Sequence, residues 1–310
     1  MKIAVIGTGI AGNVAAWHLC KDHEITVYEA GSHVGGHTHT HDIVHEGRHH
    51  AIDTGFIVFN DWTYPNFIAL LDELGVESVP TTMGFSSRCE TNRIEYNGSS
   101  LNQLFAQRRN ILRPRFYGMI RDILRFNRES RELIEFNDDT LTLGQYLEQQ
   151  HYGSLFIDNY IIPMGAAIWS TDPQQMLSFP ACHFVRFFAN HGLLNVRNRP
   201  QWRVIKGGSR EYVKRLTAPF KDRIRLNQAI TSVKRLPTHV EVKTASGETE
   251  RFDHLFIATH SDQALGMLAD ASEVERAVLG AIPYQTNDVV LHTDTSLLPT
   301  NRRAWAAWNY

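Results

Sequence analysis

Residues 2–12 read K-I-A-V-I-G-T-G-I-A-G, and this stretch decides the fold. Lys2 to Ile6 is short, apolar and β-branched, the pattern of a strand buried on both faces of a parallel sheet. Gly7, Gly9 and Gly12 follow at G-x-G-x-x-G spacing, and Val14 to Leu19 continues as a helix. I-T-V-Y at 25–28 is a second strand, closed by Glu29, 17 residues after Gly12. Each part has a physical task. Gly7 allows a tight turn, Gly9 lets the backbone approach a pyrophosphate, and Gly12 lets the helix pack on the strand. The helix start, at Ile10 and Ala11, offers free N–H groups and the positive end of its dipole to phosphates. A carboxylate at 29 can accept hydrogen bonds from ribose hydroxyls. A lone G-x-G-x-x-G says little. Strand, glycines, helix, strand and acid in this order predict a dinucleotide-binding unit.

Glu29 also narrows the dinucleotide. It would repel a 2′-phosphate, and no arginine follows closely, so FAD or NAD is favoured over NADP. The remaining chain sets bounds on function. At 310 residues there is length for two ordinary domains, and 43% hydrophobic content can fill their cores. A formal charge of −2 provides no global basic field for nucleic acid. The arginines from Arg108 to Arg131 read as solvated helix faces rather than a phosphate track. Cys20, Cys89 and Cys182 are scattered, with no C-x-x-C, which suits a reducing cytoplasm. No signal peptide or membrane-spanning run is read, and a peripheral membrane contact is left open. Oligomeric state is not legible.

The stretch after Glu29, E-A-G-S-H-V-G-G-H-T, places Gly35 and Gly36 six and seven residues after the acid. It resembles the E-A-x(4)-G-G-R pattern of the flavin-containing amine oxidase superfamily, which includes protoporphyrinogen oxidases and phytoene desaturases. A-I-D-T-G-F-I-V-F resembles that family's D-x-G-x-x-x-F segment, with Asp53, Gly55 and Phe59 at the marked positions. Ile205 to Val213 is similar to its P-x-G-G-x-x-x-L segment. Val233 falls where the family makes a backbone contact to adenine, and Phe252 to His260 resembles the strand that returns to the cofactor. P-M-G-A-A-I-W-S at 163–170 and the final W-N-Y resemble a bacterial group of FAD-binding oxidoreductases within the superfamily.

The resemblance implies an α/β fold: a discontinuous, glutathione-reductase-like Rossmann domain for FAD, with an inserted α+β substrate domain. It assigns the cofactor to Gly7, Gly9, Ile10, Ala11, Gly12, Glu29, Ala30, Gly35, Gly36, His37, Thr38, Thr54, Gly55, Phe56, Val233, Ala258 and Thr259. It implies hydride transfer from a hydrophobic or lipid-like molecule to flavin, by dehydrogenation or isomerisation. Two departures stand out. His37 occupies the family's arginine position, exchanging a permanent charge for a conditional one, so FAD binding is expected to weaken as a histidine deprotonates near roughly 6.5. In I-P-Y-Q-T-N-D-V-V, Asn287 and Asp288 stand where amine oxidases carry a lysine near the flavin. The family's C-terminal G-D segment is also missing, so the chain is expected to be a fragment. A non-catalytic FAD or NAD module and an NAD-dependent oxidoreductase remain as alternatives.

The cofactor domain is expected over 1–78 and 196–266, and the substrate domain over 79–195 and 267–310. A helix is expected from Phe67 to Leu74, stopped by Gly75. Arg88 to Tyr96 reads as hairpin material with Asn97-Gly98 as its turn. Residues 101–137 are helix-periodic, Thr142 to Gln149 reads as a capped helix, and Phe179 to Phe188 as core more than cavity lining. Trp169, Asn309 and Tyr310 are noted as candidates for the flavin ring's surroundings, with packing the readier role. No catalytic residue is assigned. In G-G-H-T-H-T-H-D, His37, His39 and His41 share one strand face, but their spacing of about 7 Å is too long for one zinc shell, so no metal is expected.

Overall fold

The Lys2–Ile6 strand (β1) forms because four of its five residues lose nearly all contact with water: Ile3, Ala4, Val5 and Ile6 are each at most 4% exposed. Full burial of each such aliphatic side chain stabilises by about 1.5–3 kcal/mol. The computed structural model describes residues 1–136 and 138–310. β1 lies inside a four-stranded parallel sheet, flanked by Glu24–Tyr28 (β2) and by His254–Ile257, with Ile224–Arg225 beyond β2. The helix Ile10–Leu19 (α1) follows β1 and buries Gly12, Ala16 and Trp17. This is the expected α/β, Rossmann-like arrangement.

The chain divides into two compact units. The first holds residues 1–58, 66–79 and 204–288, and the second 59–65, 80–203 and 289–310. Residues 59–65, 79, 196–203 and 267–288 therefore cluster otherwise than the expected boundaries place them. The helices Ser261–Met267 and Glu273–Gly280 explain the last of these. Ala269 N–H donates to the Val233 carbonyl, and Arg235 pairs with Asp270 and Glu275, which ties this segment to the first unit.

Within the first unit, an antiparallel sheet of Ile230–Arg235, Val240–Thr244 and Thr249–Phe252 shares a core with the parallel one. Ala4, Ile6 and Tyr28 pack there with Val233, Val242 and Phe252. A two-stranded hairpin, Thr40–His45 (β3) with Arg48–Asp53 (β4), carries the imidazole-rich stretch. The helix Pro65–Leu74 ends as expected at Gly75, whose φ of +64° suits glycine.

The second unit is α+β. Trp308–Asn309 runs parallel to Phe85–Cys89, which pairs antiparallel with Ile94–Asn97. Its core is aromatic, with Phe116, Phe126, Phe156, Phe184 and Phe188 fully buried. The expected helix at 142–149 is present with a reciprocal cap between Thr142 and Gln145. One turn is corrected. The hairpin reverses at residues 90–93, not at Asn97-Gly98. Asn97 instead binds Ser99 N–H through Oδ1 and the Trp305 carbonyl through Nδ2. Arg93 takes the left-handed conformation at φ +50°, with its carbonyl held by Arg109 and Arg113.

Candidate functional site

The glycines after β1 divide by what requires them. Gly7 has φ +99°, and a Cβ there would lie 2.6 Å from the Ala258 carbonyl oxygen. A Cβ at Gly12 would overlap the Gly7 carbonyl oxygen. Both are fixed by the protein's own packing. Gly9 is different. Its φ of −64° is open to any residue, and a Cβ there would meet nothing within 4 Å. Among the described residues no steric contact requires glycine at 9, and the space beside it is open. Gly9 is also the N-cap of α1 and gives it no side-chain cap. The first intrahelical bond runs from Asn13 N–H to the Gly9 carbonyl, leaving the N–H groups of Ile10, Ala11 and Gly12 without helical partners. Ile10 and Ala11 are exposed on that open side.

Other expected residues gather around this loop. Glu29, at the end of β2, accepts from Thr8 N–H at 3.0 Å, from the Thr8 hydroxyl, and from Gly31 N–H at 2.7 Å. Its carboxylate is thus held beside the glycine loop with lone pairs remaining for a further donor. Gly36 presses on Gly9: a Cβ at 36 would lie 2.9 Å from Gly9 Cα. Gly35 N–H points to the Thr8 hydroxyl at 3.4 Å. Ala258 N–H donates to the Ile6 carbonyl at 2.8 Å, so Ala258 and Thr259 border the loop from the other side.

Asp53 and Gly55 have structural tasks. The Asp53 carboxylate accepts from the Thr40 hydroxyl and from Ser209 N–H at 3.0 Å, at the start of helix Arg210–Thr217. A carboxylate there also complements the helix dipole. A Cβ at Gly55 would overlap the His37 carbonyl, so the chain crosses itself closely there. Thr54 N–H donates to the His39 carbonyl, and Ser209 Oγ donates to the Phe56 carbonyl. Thr38 is buried and bonded to the Tyr212 hydroxyl, whose pKa burial pushes up.

Three expected residues stand apart. Val233 is fully buried and its carbonyl already accepts from Ala269 N–H. Phe59 is buried in the second unit, paired with Arg203. Ala30, next to Glu29, is exposed. Trp169 packs among Phe179, Phe184 and Phe187, a core position. Asn309 Oδ1 accepts from Ser86 Oγ, and Tyr310 extends the strand pairing through Ser86 and Arg88.

The sequence did not single out the aromatic neighbours of His37. Its ring, exposed, stacks on His260 at 5.4 Å, and His260 stacks on Tyr284 at 4.5 Å. His260 directly follows Ala258 and Thr259, which was a usable signal. Tyr284 was assigned elsewhere with the residues after 266. The other histidines form a separate column, with His39 stacked on His33 at 4.5 Å and 4.1 Å from His41. Among the described residues, no group of three or more His, Cys, Asp or Glu is placed to hold a metal ion.

Parallel sheet, uncapped helix start, open Gly9 and restrained acid together define a dinucleotide-binding protein, and the residues fit the pyrophosphate and ribose of such a cofactor. The chain belongs to the flavin containing amine oxidoreductase family, which it matches over residues 10–301. The cofactor of that class is FAD. AofH of Mycobacterium tuberculosis, provisionally named a flavin-containing monoamine oxidase, is 27% identical over 272 residues, covering 81% of this chain and 55% of AofH. The chain thus spans about half the length of its curated relatives. Among solved structures, cyclohexylamine oxidase from Brevibacterium oxydans IH-35A matches with TM-score 0.68 and 20% identity, over 90% of this chain and 62% of that one. Putrescine oxidase bound to putrescine matches at 0.65 and 18%, over 90% and 63%. A fatty acid isomerase from P. acnes matches at 0.53 and 17%, over 90% and 63%. At these identities the structures establish the shared fold.

Proposed function

We propose that the protein is an FAD-dependent oxidoreductase acting on a hydrophobic small molecule, by dehydrogenation or isomerisation. The observation that carries this reading is the open Gly9 at an uncapped α1 N-terminus, beside a restrained Glu29. The N–H groups of Ile10 and Ala11 would hold the pyrophosphate, and Glu29 would accept from the ribose. Gly35, Gly36 and His37 would close over the cofactor from the other side, with the His260–Tyr284 stack behind His37. Thr38, Thr54, Gly55 and Phe56 would set the backbone beyond it, and Ala258 and Thr259 would flank the loop. Val233 fits this role least, since its carbonyl is engaged. Flavin, when bound, supplies the hydride acceptor.

In this reading the first unit is the cofactor domain and the second supplies the substrate surface. A fatty acid isomerase among the structural neighbours supports an apolar substrate. The proposed chemistry is of the amine oxidase or phytoene desaturase type, and the resemblance, which places Asn287 and Asp288 at a lysine position, weighs against an amine as the substrate. That same feature supports a second reading, a flavin-binding module without turnover. Among the described residues no helix is long and apolar enough to cross a membrane, and three scattered cysteines with no C-x-x-C support a cytoplasmic setting. The two readings separate in anaerobic reduction against a panel of unsaturated lipids, polyenes and amines. Bleaching of bound flavin by an apolar member is expected. Bleaching by amines alone would overturn the substrate class, and no bleaching by any member would favour the module.

A further inference from the structure

The second unit contains an open cleft of about 910 Å³ that shares no residue with the cofactor set. Six arginines line it: Arg88, Arg93, Arg108, Arg109, Arg302 and Arg303. They come from three stretches, residues 88–95, 106–109 and the distant 300–303. One buried carboxylate draws those stretches together. Glu95 Oε1 and Oε2 accept from the N–H groups of Thr300 and Asn301, each at 3.0 Å, and Glu95 N–H donates to Gln107 Oε1 at 3.1 Å. Asn301 Nδ2 also donates to the Ala106 carbonyl, and Arg109 to that of Arg93.

The charge in this cleft is not balanced. Arg88 lies 3.0 Å from Glu90 and 3.9 Å from Glu95. Among the described residues, no carboxylate lies within 4.0 Å of the other five guanidinium groups. Arg108 and Arg109 spend their donors on neutral partners, Asn102, Phe105 and Arg93, which positions them without neutralising them. Concave, like-signed charge focuses the local field and concentrates counter-ions. Guanidinium is the group best matched to phosphate oxygens. The cleft's volume suits one compact ligand rather than an extended polymer.

We propose that this cleft binds a phosphate-bearing polyanion, either a free di- or polyphosphate or a phospholipid headgroup. The inference is independent of the flavin reading, since no residue is shared. The test uses the full chain at low salt, with and without FAD added to fill the Gly9 loop, with pyrophosphate in calorimetry and with phosphatidylglycerol or phosphatidylcholine vesicles in sedimentation. Saturable pyrophosphate binding is expected, weakened at least tenfold in the Arg93→Gln/Arg303→Gln double variant. Arg276→Gln, outside the cleft, should bind as the unaltered chain does. Both replaced side chains are exposed, and circular dichroism with a thermal melt verifies that the variants are folded. Selective binding to phosphatidylglycerol vesicles, competed by pyrophosphate, would assign the headgroup; pyrophosphate binding without vesicle binding would assign the free anion. Failure of both probes to bind, or undiminished binding by the double variant, overturns the proposal.

Discussion

Gly9 and Gly12 are three residues apart and should fail in different ways. A side chain at 9 enters open space, while one at 12 collides with the Gly7 carbonyl. Gly9→Val is therefore expected to cost the flavin-free protein little, about 1 kcal/mol or less from the altered helix cap, while abolishing flavin binding. Gly12→Val is expected to destabilise the fold itself by several kcal/mol, about what overpacking and backbone displacement cost. Thermal melts of both variants without flavin, followed by FAD titration, separate these effects. Normal FAD affinity in Gly9→Val would show that the pyrophosphate site lies elsewhere. These roles were legible because the constraint is local: turn, helix start and next strand all lie within residues 2–29. The His37–His260–Tyr284 stack was not legible, because it depends on where the chain returns after residue 258.

At the scale of elements, the segment that enters the β3–β4 hairpin carries the pH-sensitive feature. Slight desolvation of this exposed ring, followed by the neighbouring His41 and His33, holds the His39 pKa below its ordinary value. A folded value below the unfolded one means the unfolded chain binds more protons between the two. Stability then rises with pH across that interval and falls as pH drops below about 6.5. Hydrogen-exchange protection of the hairpin amides is expected to be full at pH 8 and reduced at pH 5.5. His39→Phe, which retains a ring but cannot titrate, should lessen the change. Equal protection at both pH values in the unaltered protein would remove His39 as the cause. His37 and His39 precede the strand that begins at Thr40, so their shared strand face was not realised, and the stacking of His33, His39 and His41 had no local signature. The misplaced turn at Asn97-Gly98 has a similar origin. Asn-Gly is a strong local turn signal, yet Arg93 is held in the left-handed conformation by Arg109 and Arg113, which no local rule foresees.

For the whole molecule, the parallel sheet was legible from its apolar strands, and the discontinuity of the first unit from the β-pattern at 224–260. The unit boundaries were less so. Residues 267–288 join the first unit through Ala269 and the Arg235–Asp270–Glu275 network, contacts that have no signature in hydropathy. The arginine cleft was invisible for the same reason: Arg108 and Arg109 read as a solvated face until Glu95 brings residues 300–303 beside them. The proposed function of the first unit rests on the cofactor. The most direct measurement is a visible absorption spectrum of the purified protein during titration with FAD, with NAD added in a parallel series. Saturable appearance of protein-bound flavin absorbance, with no comparable binding of NAD, is the expected result. A protein that stays colourless and takes up no flavin, or that binds NAD tightly in its place, would contradict the assignment of an FAD site to the Gly9 loop.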